Sequence, residues 1–389
     1  MENENSTVEH APGQNTMQSE TILPPASSRH KENREHYSVL ESNVMFLLLA
    51  AIFLTLGAYV QSKSVLSGLL ITEYGIILAP VVLYSIFTRK NLKKVFKLKR
   101  LPLKSVVKIV GIAFTLLPII AVANLLIIWL IEHLSQAFEV GIPTANTSNE
   151  YLVLMFVISI TAGICEESLF RGVVLDAYEH RFGLKWGALF SGLLFGVFHF
   201  NPQNFIGPII LGVVFAYIVQ ITGSIWAGVL AHAMNNGIAV TIGYIANFFS
   251  SEADIIAAQN SSSTLFESNA IIIGVILFYG ILALITSAGL FKLLGALKND
   301  YPRFEEGQVV SIAKSHYTFI DEKSGVILLR NANDDVRQTD LRQLKRLKAQ
   351  TSYQLWRSQH KKLTFQIVEI IPLFLTLIMY GYIIYFAYF

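Results

Sequence analysis

The sequence predicts an all-α polytopic membrane protein: a bundle of about eight transmembrane helices, a small cytoplasmic α+β appendage and one further C-terminal span. Three observations predict it. Hydrophobic residues make up 53% of the 389 and charged residues only 15%, with a mean hydropathy of +0.50, which is more apolar surface than a water-soluble core of this size needs. Apolar runs long enough to cross, or nearly cross, a hydrocarbon layer of about 30 Å recur near 44–61, 69–87, 105–131, 151–170, 186–200, 204–221, 224–247, 270–297 and 365–388. Lysine and arginine are gathered in some of the intervening loops and missing from others, the asymmetry that orients membrane proteins.

Residues 1–40 are polar, contain Pro24 and Pro25 and lack a charged-then-apolar signal pattern, so they are expected to be a disordered cytoplasmic tail. Residues 41–297 hold eight of the runs and are expected to form one transmembrane core. Between its second and third spans lie Arg89, Lys90, Lys93, Lys94, Lys97, Lys99, Arg100 and Lys104, which fixes that loop in the cytosol. The loops at 132–150 and 248–269, without lysine or arginine, then fall outside. Segment 172–185, with Arg181 and Lys185, and the basic 298–363 fall inside. This alternation puts the N-terminus in the cytoplasm and the C-terminus outside it. The stretch Lys90–Lys104 reads as a plain cytosolic loop ahead of a helix lying on anionic headgroups.

Within 298–363, Gln308–Ala313 and Tyr317–Leu329 alternate as two strands around the turn-like Glu322-Lys323-Ser324-Gly325, and Asp334–Gln350 has helical spacing. A piece of about 60 residues barely sustains its own core, so docking on the membrane block or on a protein partner is expected of it. Residues 364–389 supply the last span. The net charge of +3 is small and lies in loops, which argues against nucleic acid as a partner. A lone cysteine, Cys165, excludes an intrachain disulfide and offers no second thiolate for a structural zinc site.

The chemistry lies between 151 and 247. Glu166, Glu167 and Arg171 follow sixteen mostly apolar residues, while His199 ends one apolar run and His232 interrupts another. Ionisable groups at such depth cost roughly 2.5–3.5 kcal/mol each and mark functional sites by default. On one helix Glu167 and Arg171, four apart, share a face, whereas Glu166 is turned about 100° away. The pair can neutralise itself and leave Glu166 free. A low-dielectric setting makes a carboxylate a better base near neutral pH, as activating a water requires. The competing reading has both glutamates anchoring the helix through Arg171. His199 alone reads equally as a residue capping its span. Asn236 shares a face with His232, so the two can donate hydrogen bonds to a developing oxyanion or simply bind helices together. Asn235 lies off that face.

Taken together and in this order, EExxxR, FxxxH and HxxxN resemble the CPBP superfamily of CAAX proteases and bacteriocin-processing or Abi proteins, over roughly residues 105–297. The resemblance implies an intramembrane endopeptidase of the CAAX prenyl protease 2 type, acting on membrane-associated or lipidated peptides or on membrane proteins. Carried onto this chain, Glu166 with His199 activates the water, Arg171 and Glu167 hold the helix end, and His232 with Asn236 forms the oxyanion hole, without a cofactor. The long N-terminus, the appendage and the ninth span resemble Abi-type members of Gram-positive bacteria, including the lysostaphin resistance protein A-like group, in which roles in bacteriocin processing or immunity are implied. Some of these act as partners or regulators rather than proteases, and the alternative function for this chain is a catalytically silent Abi-type membrane scaffold or regulator of a cell-envelope enzyme or sensor kinase. A transporter ranks behind both, since no paired broken helices or internal repeats stand out. Zinc is the rival to a metal-free mechanism: two histidines and glutamates can bind it, although HExxH is missing. A Cys165 nucleophile is disfavoured by the adjacent Glu166, whose charge opposes the thiolate.

Overall fold

The computed structural model describes residues 36–134, 144–249, 269–301, 309–312, 315–323, 326–331, 336–340, 350–351 and 363–388, the strands between 309 and 351 by their backbone alone. Nine apolar helices dominate it: α1 (Val39–Lys63), α2 (Val65–Phe87), α3 (Leu103–Leu134), α4 (Ser148–Phe182), α5 (Leu184–Phe198), α6 (Ile206–Thr222), α7 (Ile225–Phe249), α8 (Asn269–Asp300) and α9 (Ile367–Tyr388). Each of the nine apolar runs becomes one of them. Seven are long and apolar enough to cross a membrane, while α5 and α6, with 15 and 17 residues, are shorter.

The expected fourth span, 151–170, is corrected: α4 runs 35 residues to Phe182. Its charged end, Asp176-Ala177-Tyr178-Glu179-His180-Arg181, has the composition of a loop but remains helical because its polar groups are held. Asp176 accepts hydrogen bonds from Tyr37 N and His36 Nδ1, both at 2.9 Å, and Tyr178 is buried and donates to Asn43 Oδ1 at 2.8 Å. The expected cytosolic loop 172–185 therefore shrinks to one residue between α4 and α5, Gly183, whose φ of +90° is available to glycine at little cost.

This changes the depth of everything that follows. Glu167 lies sixteen residues before Gly183 and His199 sixteen after it, so both stand about 24 Å from the turn on antiparallel helices. Helices α5 and α6 form a short hairpin packed closely enough that a Cβ on Gly212 would come within 2.7 Å of Gly192 Cα. Its tip, residues 199–205, reaches only to the level of the glutamates. Asn124 on α3 steadies the tip through Asn204 Oδ1 at 3.2 Å and Gly207 N at 3.0 Å. Phe200 there has φ +46°, a strained conformation for a non-glycine residue, and its ring is wedged among Phe53, Phe198 and Tyr380.

Segments 36–38, 88–100, 176–183 and 222–224 meet at one end of the bundle. Lys97 approaches Glu179 at 3.9 Å and its carbonyl accepts from Ile225 N at 3.1 Å. Ser38 and Glu41 cap α1 reciprocally. The expected disordered tail is thus corrected at its end, since Tyr37 is buried; residues 1–35 lie outside the described residues. The last helix, α9, packs on α1 of its own bundle, with Asn43 Nδ2 donating to Glu369 O at 2.8 Å.

Five strands, β1 (Val309–Ile312), β2 (Ser315–Lys323), β3 (Val326–Asn331), β4 (Val336–Asp340) and β5 (Gln350–Thr351), form an antiparallel sheet in the order β4-β3-β2-β1-β5. Of the turn expected at 322–325, residues 324 and 325 lie outside the described residues, and Lys323 and Val326 on either side of them are paired. The helix expected over Asp334–Gln350 is corrected for 336–340, which pairs with β3 from Val326↔Asp340 to Arg330↔Val336, and for Gln350, which in β5 pairs with Ser311. A five-residue segment beside an open strand edge satisfies its backbone by pairing, and that outweighs a helical spacing of charges. Residues 341–349 lie outside the described residues.

Candidate active site

Helix α4 carries Glu166 and Glu167 on a regular segment, Ala162–Glu167, between two π-helical turns, Met155–Thr161 and Ser168–Val174, irregularities frequent at functional sites. Glu167 and Arg171 are fully buried and form an ion pair at 2.8 Å. His232 on α7 donates from Nδ1 to the same Glu167 Oε1 at 3.1 Å. Arg171 also donates to Gly212 O on α6 at 3.0 Å, and its guanidinium lies 4.9 Å from the Phe195 ring and 5.5 Å from that of Phe215. One buried cation therefore ties α4 to α5, α6 and α7. Gly228 on α7 permits it, because a Cβ there would run into Glu167 Oε2.

Glu166 is placed otherwise. It is half-buried, and its Oε2 is buried without a hydrogen-bond partner among the described residues. Glu167 Oε2 and Arg171 Nε are unpartnered as well. His199, at the hairpin tip, donates from Nδ1 to Phe195 O at 2.8 Å, which leaves Nε2 as a bare acceptor. His199 and His232 both stand edge-on to Phe195, with centroids at 4.9 and 5.5 Å. Asn236 spends one Nδ2 hydrogen on Ile158 O at 2.9 Å, and its Oδ1 accepts from Asn235 at 3.2 Å. This amide does bind α7 to α4, as the competing reading had it, and retains a second N–H.

Of the six residues singled out, Glu167, Arg171 and His232 are in direct contact. His199 adjoins His232 through Phe195, Asn236 sits one turn along α7, and Glu166 adjoins the cluster without a hydrogen bond to it. Among the described residues no three His, Cys, Asp or Glu side chains converge as ligands of a metal ion. Cys165 is buried.

One residue of the site escaped the sequence reading. Glu73 on α2 is buried, its Oε2 has no partner among the described residues, and its turn, Ile71–Leu78, packs on Ala162–Glu167. The signal was the one that exposed Glu166, an ionisable residue in an apolar run.

Residues 148–238 match a protein family described as "Type II CAAX prenyl endopeptidase Rce1-like". Over 105 residues the chain is 28% identical to a protein of Bacillus subtilis (strain 168) named "Putative membrane peptidase YdiL", covering 25% of this chain and 43% of that protein. The chain thus spans less than half the length of this relative. No solved structure matches it. The family match begins at the first residue of α4 and takes in Glu166, Glu167, Arg171, His199, His232 and Asn236. The two matches support the CPBP superfamily for this part of the chain, and with its apolar helices the chain is a multi-pass membrane protein.

Proposed function

We propose that the chain is an intramembrane endopeptidase of the CAAX glutamic type, cleaving membrane-associated or lipidated peptides or membrane proteins without a metal. The observation that carries this is the contrast between neighbours: Glu167 is bound through Oε1 to Arg171 and His232, while Glu166, at the depth of His199, is in neither contact and has a carboxyl oxygen without a partner among the described residues. A buried acceptor without a donor is costly unless something that binds there supplies one, and a substrate water does so.

In this mechanism Glu166, with the free Nε2 of His199, takes a proton from water as its oxygen attacks the peptide carbonyl. The developing oxyanion is met by His232 Nε2, which donates when the ring carries both protons, and by the second N–H of Asn236. The proton then passes to the leaving amine. Glu167 and Arg171 hold His232 and the hairpin in place. The positive-inside pattern supports a cytoplasmic N-terminus and an extracytoplasmic C-terminus, and a partner protein for the sheet at 309–351 belongs to the same reading.

The test compares the termini of membrane peptides in cells carrying the wild-type chain with those in cells carrying Glu166→Gln. Specific products that vanish in the variant support the protease and name its substrate. Identical profiles, in cells that deletion of the whole protein still alters, overturn it in favour of a scaffold.

A further inference from the structure

The hairpin tip that carries His199 is held in a conformation its own sequence does not favour. His199 ends α5, its N–H donating to Gly196 O at 3.3 Å, and Phe200 N donates to Val197 O at 3.1 Å. The chain then leaves the helix through Phe200 at φ +46°, the left-handed conformation that glycine takes after a helix and that a Cβ opposes. Strain of this kind persists only where the surroundings impose it. Here the surroundings are aromatic. The Phe200 ring is buried and stands 6.0 Å from Phe53 on α1, 6.1 Å from Phe198 and 6.0 Å from Tyr380 on α9. Tyr380 also lies 5.8 Å from Phe205, at the other end of the tip. One ring from the last helix therefore braces both ends of the tip, against the residue next to His199.

Helix α9 is built to bring that ring there. Its buried and half-buried residues Glu369, Leu373, Thr376, Tyr380 and Ile383 recur at intervals of three and four, which is one face of a helix. Just ahead of it, Phe365 packs on Phe182 and Phe190 beside the α4–α5 turn, with centroids at 4.7 and 5.5 Å. Tyr380 comes thirteen residues after the start of α9, about 20 Å along the helix, close to the level of the tip. The family match ends at residue 238 and begins at 148, so the matched stretch contains His199 but neither Phe53 nor Tyr380.

We propose that Tyr380 is a positioning residue for His199: its ring holds Phe200 in the left-handed conformation and thereby fixes the imidazole at the end of α5. For its bearing on cleavage the proposal rests on the reading of His199 as part of the base. Without the ring, Phe200 relaxes towards negative φ, the last turn of α5 loosens, and His199 Nδ1 loses its fixed approach to Phe195 O. The C-terminal helix is then part of how the site is assembled, and more than an added span.

The experiment treats the full chain in phospholipid nanodiscs with diethyl pyrocarbonate, which acylates the unprotonated nitrogen of histidine, and follows each histidine by peptide mass spectrometry. In Tyr380→Ala the rate at His199 is expected to rise by about tenfold, with His36 and His232 labelled as in the wild type. Tyr380→Phe, which keeps the ring, is expected to restore the wild-type rate, and Tyr382→Ala, on the exposed face of α9, to leave it unchanged. Tyr380→Leu serves if Tyr380→Ala does not fold. An unchanged rate at His199, or a rise shared equally by His232, overturns the proposal. Against a substrate found by comparing peptide termini, Tyr380→Ala is expected to lower kcat more than it raises KM. Selective labelling of His199 without any Glu166-dependent cleavage sinks the protease reading alone, and Glu166-dependent cleavage with wild-type labelling in Tyr380→Ala sinks only the positioning.

Discussion

Two polar clusters are buried in this bundle, one at its end and one at its centre, and they are built on opposite rules. At the end, His36 Nδ1 and Tyr37 N both donate to Asp176, Lys90 Nζ donates to His36 O at 2.6 Å, and Tyr84 donates to Glu41 at 2.9 Å. The Tyr37 hydroxyl meets Ser85 at 2.5 Å, and burial pushes its phenol up to about 12, so it stays a neutral donor. At the centre, Glu73, Glu166 and Glu167 each keep a buried oxygen without a partner among the described residues. A satisfied network rigidifies and specifies a fold; a partly satisfied one costs stability and persists where something else selects for it. The end clasps α1, α2 and α4 together, and the centre is where chemistry is expected.

Substitutions should divide along the same line. The largest structural effect is expected from Arg171→Met, which removes the guanidinium from buried Glu167 and should destabilise the bundle by about 3–5 kcal/mol, read as a lowered thermal midpoint in detergent; an unchanged midpoint would show the central pair to be dispensable. Gly228→Ala comes next, because the added methyl meets Glu167 Oε2. A loss of about 1–3 kcal/mol, with cleavage falling alongside, would show that the position of Glu167 matters to turnover. Asp176→Ala, in the satisfied cluster, should cost about 1–3 kcal/mol while leaving the cleavage rate per folded molecule unaltered. If it slowed cleavage instead, the two clusters would be coupled and the division drawn above would fail.

How much of this could be read beforehand follows from what kind of signal each feature leaves. Nine apolar runs became nine helices because hydropathy is a property of composition, needing no tertiary context. The depth of His199 was legible only as a conflict: the spans read from the sequence set it near the outer face and Glu166 near the cytosolic one, and a fourth helix running on past Phe170 was one of two ways to bring them together. That depth depends on α4 continuing through Asp176 and Arg181, residues that look like a loop until Tyr37 and Asn43 supply their partners. Once Gly183 is the only residue between α4 and α5, counting along both helices puts His199 level with Glu167. Spacing along one helix correctly paired Glu167 with Arg171, whereas the contact of His232 with Glu167 spans 65 positions and has no local signature. Glu73 was legible in principle and missed, since a single glutamate in an apolar run lacks a motif to draw attention to it. In the sheet, the charges at 336–340 imitated a helix, and the open edge of β3 decided otherwise.

The central claim is that adjacent glutamates do different work: Glu166 chemistry, Glu167 structure. Its most direct test measures cleavage rate and thermal midpoint side by side for Glu166→Gln and Glu167→Gln in the purified full chain. The account predicts that Glu166→Gln lowers cleavage by about 10²–10⁴-fold at an unchanged or raised midpoint, whereas Glu167→Gln, leaving Arg171 uncompensated, lowers the midpoint first. A Glu166→Gln chain that cleaves like wild type, or one that unfolds while Glu167→Gln stays intact, would contradict it.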